Sequence, residues 1–149
     1  RRVPFDILRG VENLTDHSDF VRNYEDRDMI LVHPINDIPA LCRLRNACPK
    51  GTRHIQAEVM TNNSQAKPID YALIVTPASD LQWQEDIQQF TDGFCSDWVT
   101  VVADGSEEVH LFLPEPLEST AHLYLSTRLK PGETNEYCWA HFRNIRMTI

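Results

Sequence analysis

Glycine is scarce in this chain, and its scarcity excludes several kinds of nucleotide-binding site. Five glycines occur among 149 residues. A phosphate loop or a dinucleotide-binding turn needs glycines close together, because the backbone must approach the phosphates. Here the glycines are dispersed beside turn-forming residues or in loops, at positions 10, 51, 93, 105 and 132. Turn geometry therefore explains them without a cofactor.

The sequence also lacks the short motifs of catalysis and of tight metal binding. It contains no nucleophile elbow, no His-Glu-x-x-His and no Cys-x-x-Cys. We therefore predict that the protein is not an enzyme and needs no cofactor. Asp92 and Asp97, near Gly93, are the candidates for a structural calcium ion, since Ca²⁺ takes oxygen ligands from loops. The sequence does not decide whether any other metal ion binds.

The sequence has few basic residues and no long apolar run. The formal net charge is −8, the 14 basic residues are scattered, and lysine occurs only at positions 50, 67 and 130. Nucleic-acid binding needs clustered Lys and Arg, because counterion release supplies much of the affinity. No run approaches the ~18 apolar residues of a membrane helix. The sequence predicts neither a nucleic-acid partner nor membrane insertion, and it leaves the compartment open.

Four cysteines permit two interpretations, and both stay open at this point. Cys42, Cys48, Cys95 and Cys138 are compatible with two disulfides or with buried thiols. Cys42 and Cys48 lie six positions apart, so a disulfide between them would close a loop.

The chain has the length of one domain. Its numbering opens with Arg1-Arg2-Val3 rather than with Met. We therefore expect residues 1–149 to form a single β-sandwich domain excised from a longer protein, with a catalytic domain as a candidate partner in the same chain.

Alternating apolar residues predict β-strands along much of the chain. The clearest strand runs from Arg53 to Met60, where Ile55, Ala57 and Val59 fall on one face. The run from Asp70 to Val75 is apolar on both faces, which is typical of a strand near the middle of a sandwich.

The last third of the chain contains four strand-like runs. The first two, 98–103 and 109–113, flank Asp104-Gly105, a hairpin signal because the tight turn needs positive φ. Residues 81–90 fit a short helix or a kinked edge strand, and we favour strand or irregular structure. The first 28 residues read as loops around one short strand or turn. About eight strands separated by turn signals predict an antiparallel sandwich or barrel.

The last two runs carry the candidate binding residues. In 121–128, His122, Tyr124 and Arg128 alternate with apolar residues, and in the final run Trp139 and His141 do the same. Side chains of a strand alternate between the two faces of its sheet. If the two strands share a sheet, the five side chains form one surface.

Such a surface suits a carbohydrate. An aromatic ring can stack on the aliphatic C–H groups of a sugar, while planar donors and acceptors such as Arg and His bind its hydroxyls. We predict that Trp139 or Tyr124 supplies the ring and that the other three residues supply hydrogen bonds. The alternative is that both rings pack in the core. Trp83 and Trp98 are the other candidate platforms.

Several short segments resemble known β-sandwich families. The closing run Cys138–Ile149 is similar to the last strand of galactose-binding-like jelly rolls, a fold shared by many carbohydrate-binding modules. Val32–Pro34, Leu125–Arg128 and Trp139–Phe142 also resemble a bacterial β-sandwich family of unknown function that is associated with polysaccharide-related proteins. The resemblance implies an all-β, jelly-roll type antiparallel β-sandwich of about eight strands. It implies glycan binding only by analogy, because a fold alone does not determine a function.

We therefore expect a non-catalytic carbohydrate-binding or accessory module of a polysaccharide-related protein, with a glycan or polysaccharide as its ligand. The alternative is a protein-interaction or structural β-sandwich domain with no sugar affinity. Such a domain would pair with a neighbour through its outer sheet face or an edge strand.

Overall fold

The computed structural model describes residues 2–4, 12–13, 21–24, 29–76 and 93–149. Within these ranges every regular element is a β-strand. In chain order the strands are β1 (Arg2–Pro4), β2 (Glu12–Asn13), β3 (Val21–Tyr24), β4 (Met29–Val32), β5 (Ala40–Cys48), β6 (His54–Thr61), β7 (Ile69–Thr76), β8 (Phe94–Cys95), β9 (Val99–Val101), β10 (Ser106–Phe112), β11 (Ala121–Leu129) and β12 (Ala140–Thr148). The described part contains no helix long and apolar enough to cross a membrane.

The strands form two antiparallel sheets that pack face to face. The front sheet has the order β10-β6-β12-β4-β3, and β1 also pairs with β12. The back sheet has the order β2-β5-β11-β7-β8, and β9 also pairs with β7.

Eight of these strands have the topology of a jelly roll. Strands β4, β6, β10 and β12 belong to the front sheet, whereas β5, β7, β9 and β11 belong to the back sheet. In the front sheet the last strand, β12, lies between β4 and β6. In the back sheet β11 lies between β5 and β7. This interleaving of early and late strands confirms the predicted jelly-roll type β-sandwich.

The core lies between the sheets, where alternate residues of each strand point inward. Ile55, Ala57 and Val59 of β6 are buried, as their spacing predicts, and they belong to one cluster with Leu123 and Leu125 of β11. Full burial of one such aliphatic side chain contributes about 1.5–3 kcal/mol. Because these residues point inward, the residues between them must point outward.

Strand β7 also matches its prediction. All eight of its residues are buried, and it lies between β11 on one side and β8 and β9 on the other. Its Tyr71 crosses the core, where its hydroxyl donates a hydrogen bond to the carbonyl oxygen of Met60 at 2.8 Å. The ring of Tyr71 meets the ring of Phe142 edge-on, with centroids 5.5 Å apart. This contact ties the back sheet to the front sheet.

The predicted hairpin at Asp104-Gly105 is wrong, although the turn itself exists. The amide of Gly105 donates to the carbonyl oxygen of Val102 at 2.9 Å, and Asp104 has a positive φ of 56°. The strand before the turn, β9, pairs with β7 in the back sheet, whereas the strand after it, β10, pairs with β6 in the front sheet. The turn therefore carries the chain from one sheet to the other.

All four cysteines are free thiols, so the disulfide interpretation is not what the structure shows. Cys42, Cys48 and Cys138 are buried, whereas Cys95 is exposed. Burial raises the pKa of Cys48 to about 12, which keeps the thiol protonated at neutral pH.

Two further predictions concern segments that are described only in part or not at all. The first 28 residues contain three described strands, β1 to β3, where one short strand or turn was predicted. The ambiguous segment 81–90, with Trp83, lies outside the described residues.

Candidate functional site

The five residues singled out in the sequence do not form one surface. His122, Tyr124 and Arg128 lie on β11 in the back sheet, whereas Trp139 and His141 lie at the start of β12 in the front sheet. The predicted alternation of faces is present on each strand, because the intervening residues belong to the core cluster. The two strands do not share a sheet, so their outward faces lie on opposite sides of the sandwich.

The back-sheet residues are largely engaged with their own neighbours. Tyr124 is fully buried, and its hydroxyl accepts a hydrogen bond from Thr76 Oγ1 at 3.4 Å. A sugar cannot reach this ring in the described structure. His122 Nδ1 accepts a hydrogen bond from the backbone amide of Asn46 at 2.9 Å. The bond holds the imidazole against the end of β5.

Arg128 lies in a cluster of charged residues around Asp70, which we call the Asp70 clasp. The guanidinium of Arg128 lies 4.0 Å from the ring centroid of the half-buried Trp98, as in a cation–π contact. Arg128 Nε donates to Asp70 Oδ2 at 3.1 Å, and Lys130 Nζ lies 3.0 Å from Asp70 Oδ1. Thr100 Oγ1 donates to the same carboxylate at 2.6 Å.

The Asp70 clasp is a structural cluster. The side chain of Asp70 is 1% exposed, so burial raises its pKa, but the hydrogen bonds from Thr100, Lys130 and Arg128 outweigh burial and leave the pKa below its ordinary value. The carboxylate is therefore charged and satisfied. A cavity of about 380 Å³ lies beside it, lined in part by Asp37. The described residues that line this cavity include no aromatic side chain, so they offer no aromatic platform.

The outward side of the front sheet is built differently, and we call it the front face. It comprises the outward side chains of β6, β10 and β12, together with Trp139. Four cross-strand rows follow one another along it: Phe112–His54–Thr148, His110–Gln56–Arg146, Glu108–Glu58–Arg143 and Ser106–Met60–His141. Beyond the last row, the backbone amide of Asn62 donates to the carbonyl oxygen of Trp139 at 2.9 Å, which places Trp139 at that end of the face.

An exposed aromatic stack stands at the first end of the front face. Phe112 is 71% exposed, and its ring lies parallel to that of His54, with centroids 4.3 Å apart. His110 lies parallel to both rings, and its Nδ1 is 2.8 Å from His54 Nε2 in a hydrogen bond. Because His54 covers one face of the Phe112 ring, the exposure leaves the other face open to solvent.

Hydrogen-bonding groups form an open trough next to this stack. Glu58 accepts hydrogen bonds from Arg143 Nε at 2.6 Å and from Asn144 Nδ2 at 2.9 Å. These bonds lower the pKa of Glu58 below its ordinary value. Glu108 lies 3.1 Å from His110 Nε2. The trough has a volume of about 540 Å³, and Glu58, Glu108, His110 and Arg143 are among its lining residues.

At the other end of the front face lie two sequence-predicted residues, Trp139 just before β12 and His141 within it. Trp139 is 50% exposed, whereas His141 is only 7% exposed and lies 3.1 Å from the side-chain nitrogen of Asn62. Trp139 is thus open to a ligand, while His141 lies beneath the surface. Their role in binding stays a prediction.

The site residues predicted from the sequence do not include Phe112, His54 or Glu58. The polar face of β6 was visible in the alternation of His54, Gln56 and Glu58, and Phe112 ends the following run on the outward side. No local pattern shows that these two strands are neighbours, since His54 and His110 are 56 positions apart.

The described residues contain no group of three or more His, Cys, Asp or Glu side chains that could hold a metal ion. Asp97 lies in the described part, but its predicted calcium partner Asp92 does not. The calcium site stays a prediction.

The chain belongs to DUF6212, a family of unknown function, whose model matches residues 1–128. No match was found among curated proteins.

Three solved structures show a distant likeness to this chain. One is CBM51 from Clostridium perfringens GH95 in complex with methyl-galactose, with 10% identity, a TM-score of 0.49, and coverage of 99% of this chain and 92% of that one. Another is TmCBM61 in complex with β-1,4-galactotriose, with 10% identity, a TM-score of 0.46, and coverage of 93% and 86%. A third is a Streptococcus pneumoniae fucose binding module, with 8% identity, a TM-score of 0.39, and coverage of 95% and 93%. All three likenesses are distant.

Proposed function

We propose that this DUF6212 protein is a non-catalytic glycan-binding module and that the front face is its binding site. The observation that carries the proposal is the exposed ring of Phe112, stacked on His54 beside an open polar trough. An exposed aromatic ring that is held from behind by a second ring offers a flat apolar surface on which a ligand can stack. We further propose that the module serves as an accessory to a polysaccharide-related protein.

The chemistry of the front face fits a sugar at each point. The open face of Phe112 suits the aliphatic C–H side of a pyranose ring. The carboxylate of Glu108 accepts hydrogen bonds and the guanidinium of Arg143 donates them, so both can bind hydroxyl groups. Arg143 is already fixed by its bond to Glu58, so little side-chain entropy is lost when a ligand binds.

The carboxylate of Glu58 does not fit the role of the general acid in glycoside hydrolysis. A hydrolase of this kind needs one carboxylic acid with a raised pKa to protonate the leaving oxygen. The hydrogen bonds from Arg143 and Asn144 shift the pKa of Glu58 in the opposite direction. This supports binding without catalysis.

Binding to a panel of polysaccharides tests the proposal directly. Affinity gels containing β-glucan, mannan, xylan, chitin or galactan should retard the native protein, and Phe112→Ala should lower the affinity about tenfold, as expected for the loss of one stacking contact. Trp98→Ala, which removes an aromatic ring of the back sheet, is the matched control and should bind normally. Circular dichroism checks that both variants are folded.

Two results would overturn the proposal. If Trp98→Ala loses binding and Phe112→Ala binds normally, the binding site lies on the back sheet. Failure to bind any glycan of the panel, together with a concentration-dependent oligomer in light scattering, would favour a protein-interaction or structural domain instead.

A further inference from the structure

The front face has an exposed aromatic side chain at each of its two ends. Phe112 pairs with His54 at the start of β6, and Trp139 lies opposite Asn62, just after the end of β6. Cys138 and Ala140, on either side of Trp139, are fully buried, so the Trp139 side chain points outward like those of the front face. Both aromatic groups therefore lie on the same side of the same sheet.

The distance between the two ends exceeds the size of one sugar ring. His54 and Asn62 are eight positions apart, and a strand rises about 3.3 Å per residue, so the ends are separated by roughly 26 Å along β6. A monosaccharide stacked on Phe112 would not reach Trp139. A linear oligosaccharide running along β6 would contact both.

The surface between the ends is polar and open. The trough of about 540 Å³ lies there, lined in part by Glu58, Glu108 and Arg143. Phe112, Glu108 and Ser106 of β10 all have exposed side chains along one edge of the route. The buried His141 does not project above the sheet, so it does not obstruct a chain that passes from the trough toward Trp139.

We propose that the front face binds a single extended glycan chain, with Phe112 and Trp139 as two separate stacking platforms and the trough as the polar floor between them. The inference rests on the proposed function and gives the class of ligand: an internal stretch of a linear polysaccharide. A terminal mono- or disaccharide would fill only part of such a site.

Calorimetry with linear oligosaccharides of increasing length tests this inference. The probes are cello-, manno-, xylo-, chito- and galacto-oligosaccharides from the disaccharide to the octasaccharide. Affinity should rise with chain length until the chain covers both platforms. Trp139→Ala should then lower the affinity for the longest chain about tenfold and leave the shortest binding chain unchanged. Trp98→Ala again serves as the aromatic control.

Two different outcomes distinguish an error in the extended-chain proposal from an error in the proposed function. If affinity is already maximal for a disaccharide, and Phe112→Ala abolishes binding while Trp139→Ala has no effect on any chain, the site binds a short sugar and the extended-chain inference is wrong. If none of the oligosaccharides binds at any length, the proposed function itself is wrong.

Discussion

His54 Nε2 lies 2.8 Å from His110 Nδ1, and this bond joins two histidines on neighbouring strands of the front face. In a neutral pair, one ring nitrogen donates the shared proton and the other accepts it. Glu108 Oε2 lies 3.1 Å from His110 Nε2, so the side chains of Glu108, His110 and His54 form one hydrogen-bonded row beside Phe112.

We predict from this bond that His54 supports glycan binding by holding the ring of Phe112 in place. In His54→Ala this support is lost, so the affinity for a neutral polysaccharide in affinity gels should fall several-fold. In His54→Phe a ring still stacks on Phe112, so the affinity should stay close to that of the native protein. Equal loss of affinity in both variants would show that stacking on Phe112 is not the cause.

Local patterns determine more of this fold than of the proposed binding face. The alternation in 121–128 correctly separates His122 and Tyr124 from the core, because burial of one face requires a period of two. The same pattern cannot show that the outward face is also buried, as it is at Tyr124. Nor can it assign neighbouring strands to sheets: Asp104-Gly105 has the residues of a hairpin turn, but the partners of β9 and β10 come from distant parts of the chain.

Asp70 should contribute measurably to stability through its three donors. Asp70→Asn leaves Arg128 and Lys130 without their buried carboxylate, so the free energy of unfolding should decrease by about 1–3 kcal/mol at pH 7. Urea denaturation, monitored by tryptophan fluorescence, measures this decrease in the free energy of unfolding. Glu133→Gln, at an exposed loop position, is the matched control and should change stability by less than about 0.5 kcal/mol.

The pH dependence of this effect follows from the lowered pKa of Asp70 in the folded protein. Because the folded pKa lies below that of the unfolded chain, about 3.9, the contribution of Asp70 is complete above that value and is lost as the pH falls through the folded pKa. The stability difference between the native protein and Asp70→Asn should thus be constant near neutral pH and shrink in strong acid. A difference that grows on acidification would contradict the sign of the shift.

Gly105 should resist substitution because the turn that joins the two sheets is closely packed. A Cβ atom at this position would lie 2.9 Å from the carbonyl oxygen of Val102 and 3.3 Å from Cγ1 of Val101. Since the first of these atoms is backbone, the turn itself must shift, and this would disturb the bond from the Thr61 amide to the carbonyl oxygen of Gly105. Gly105→Ala should therefore cost about 1–3 kcal/mol in urea denaturation. The exposed neighbour Ser106, changed to Ala, is the control, and equal stability of the two variants would mean that the turn is not closely packed at Gly105.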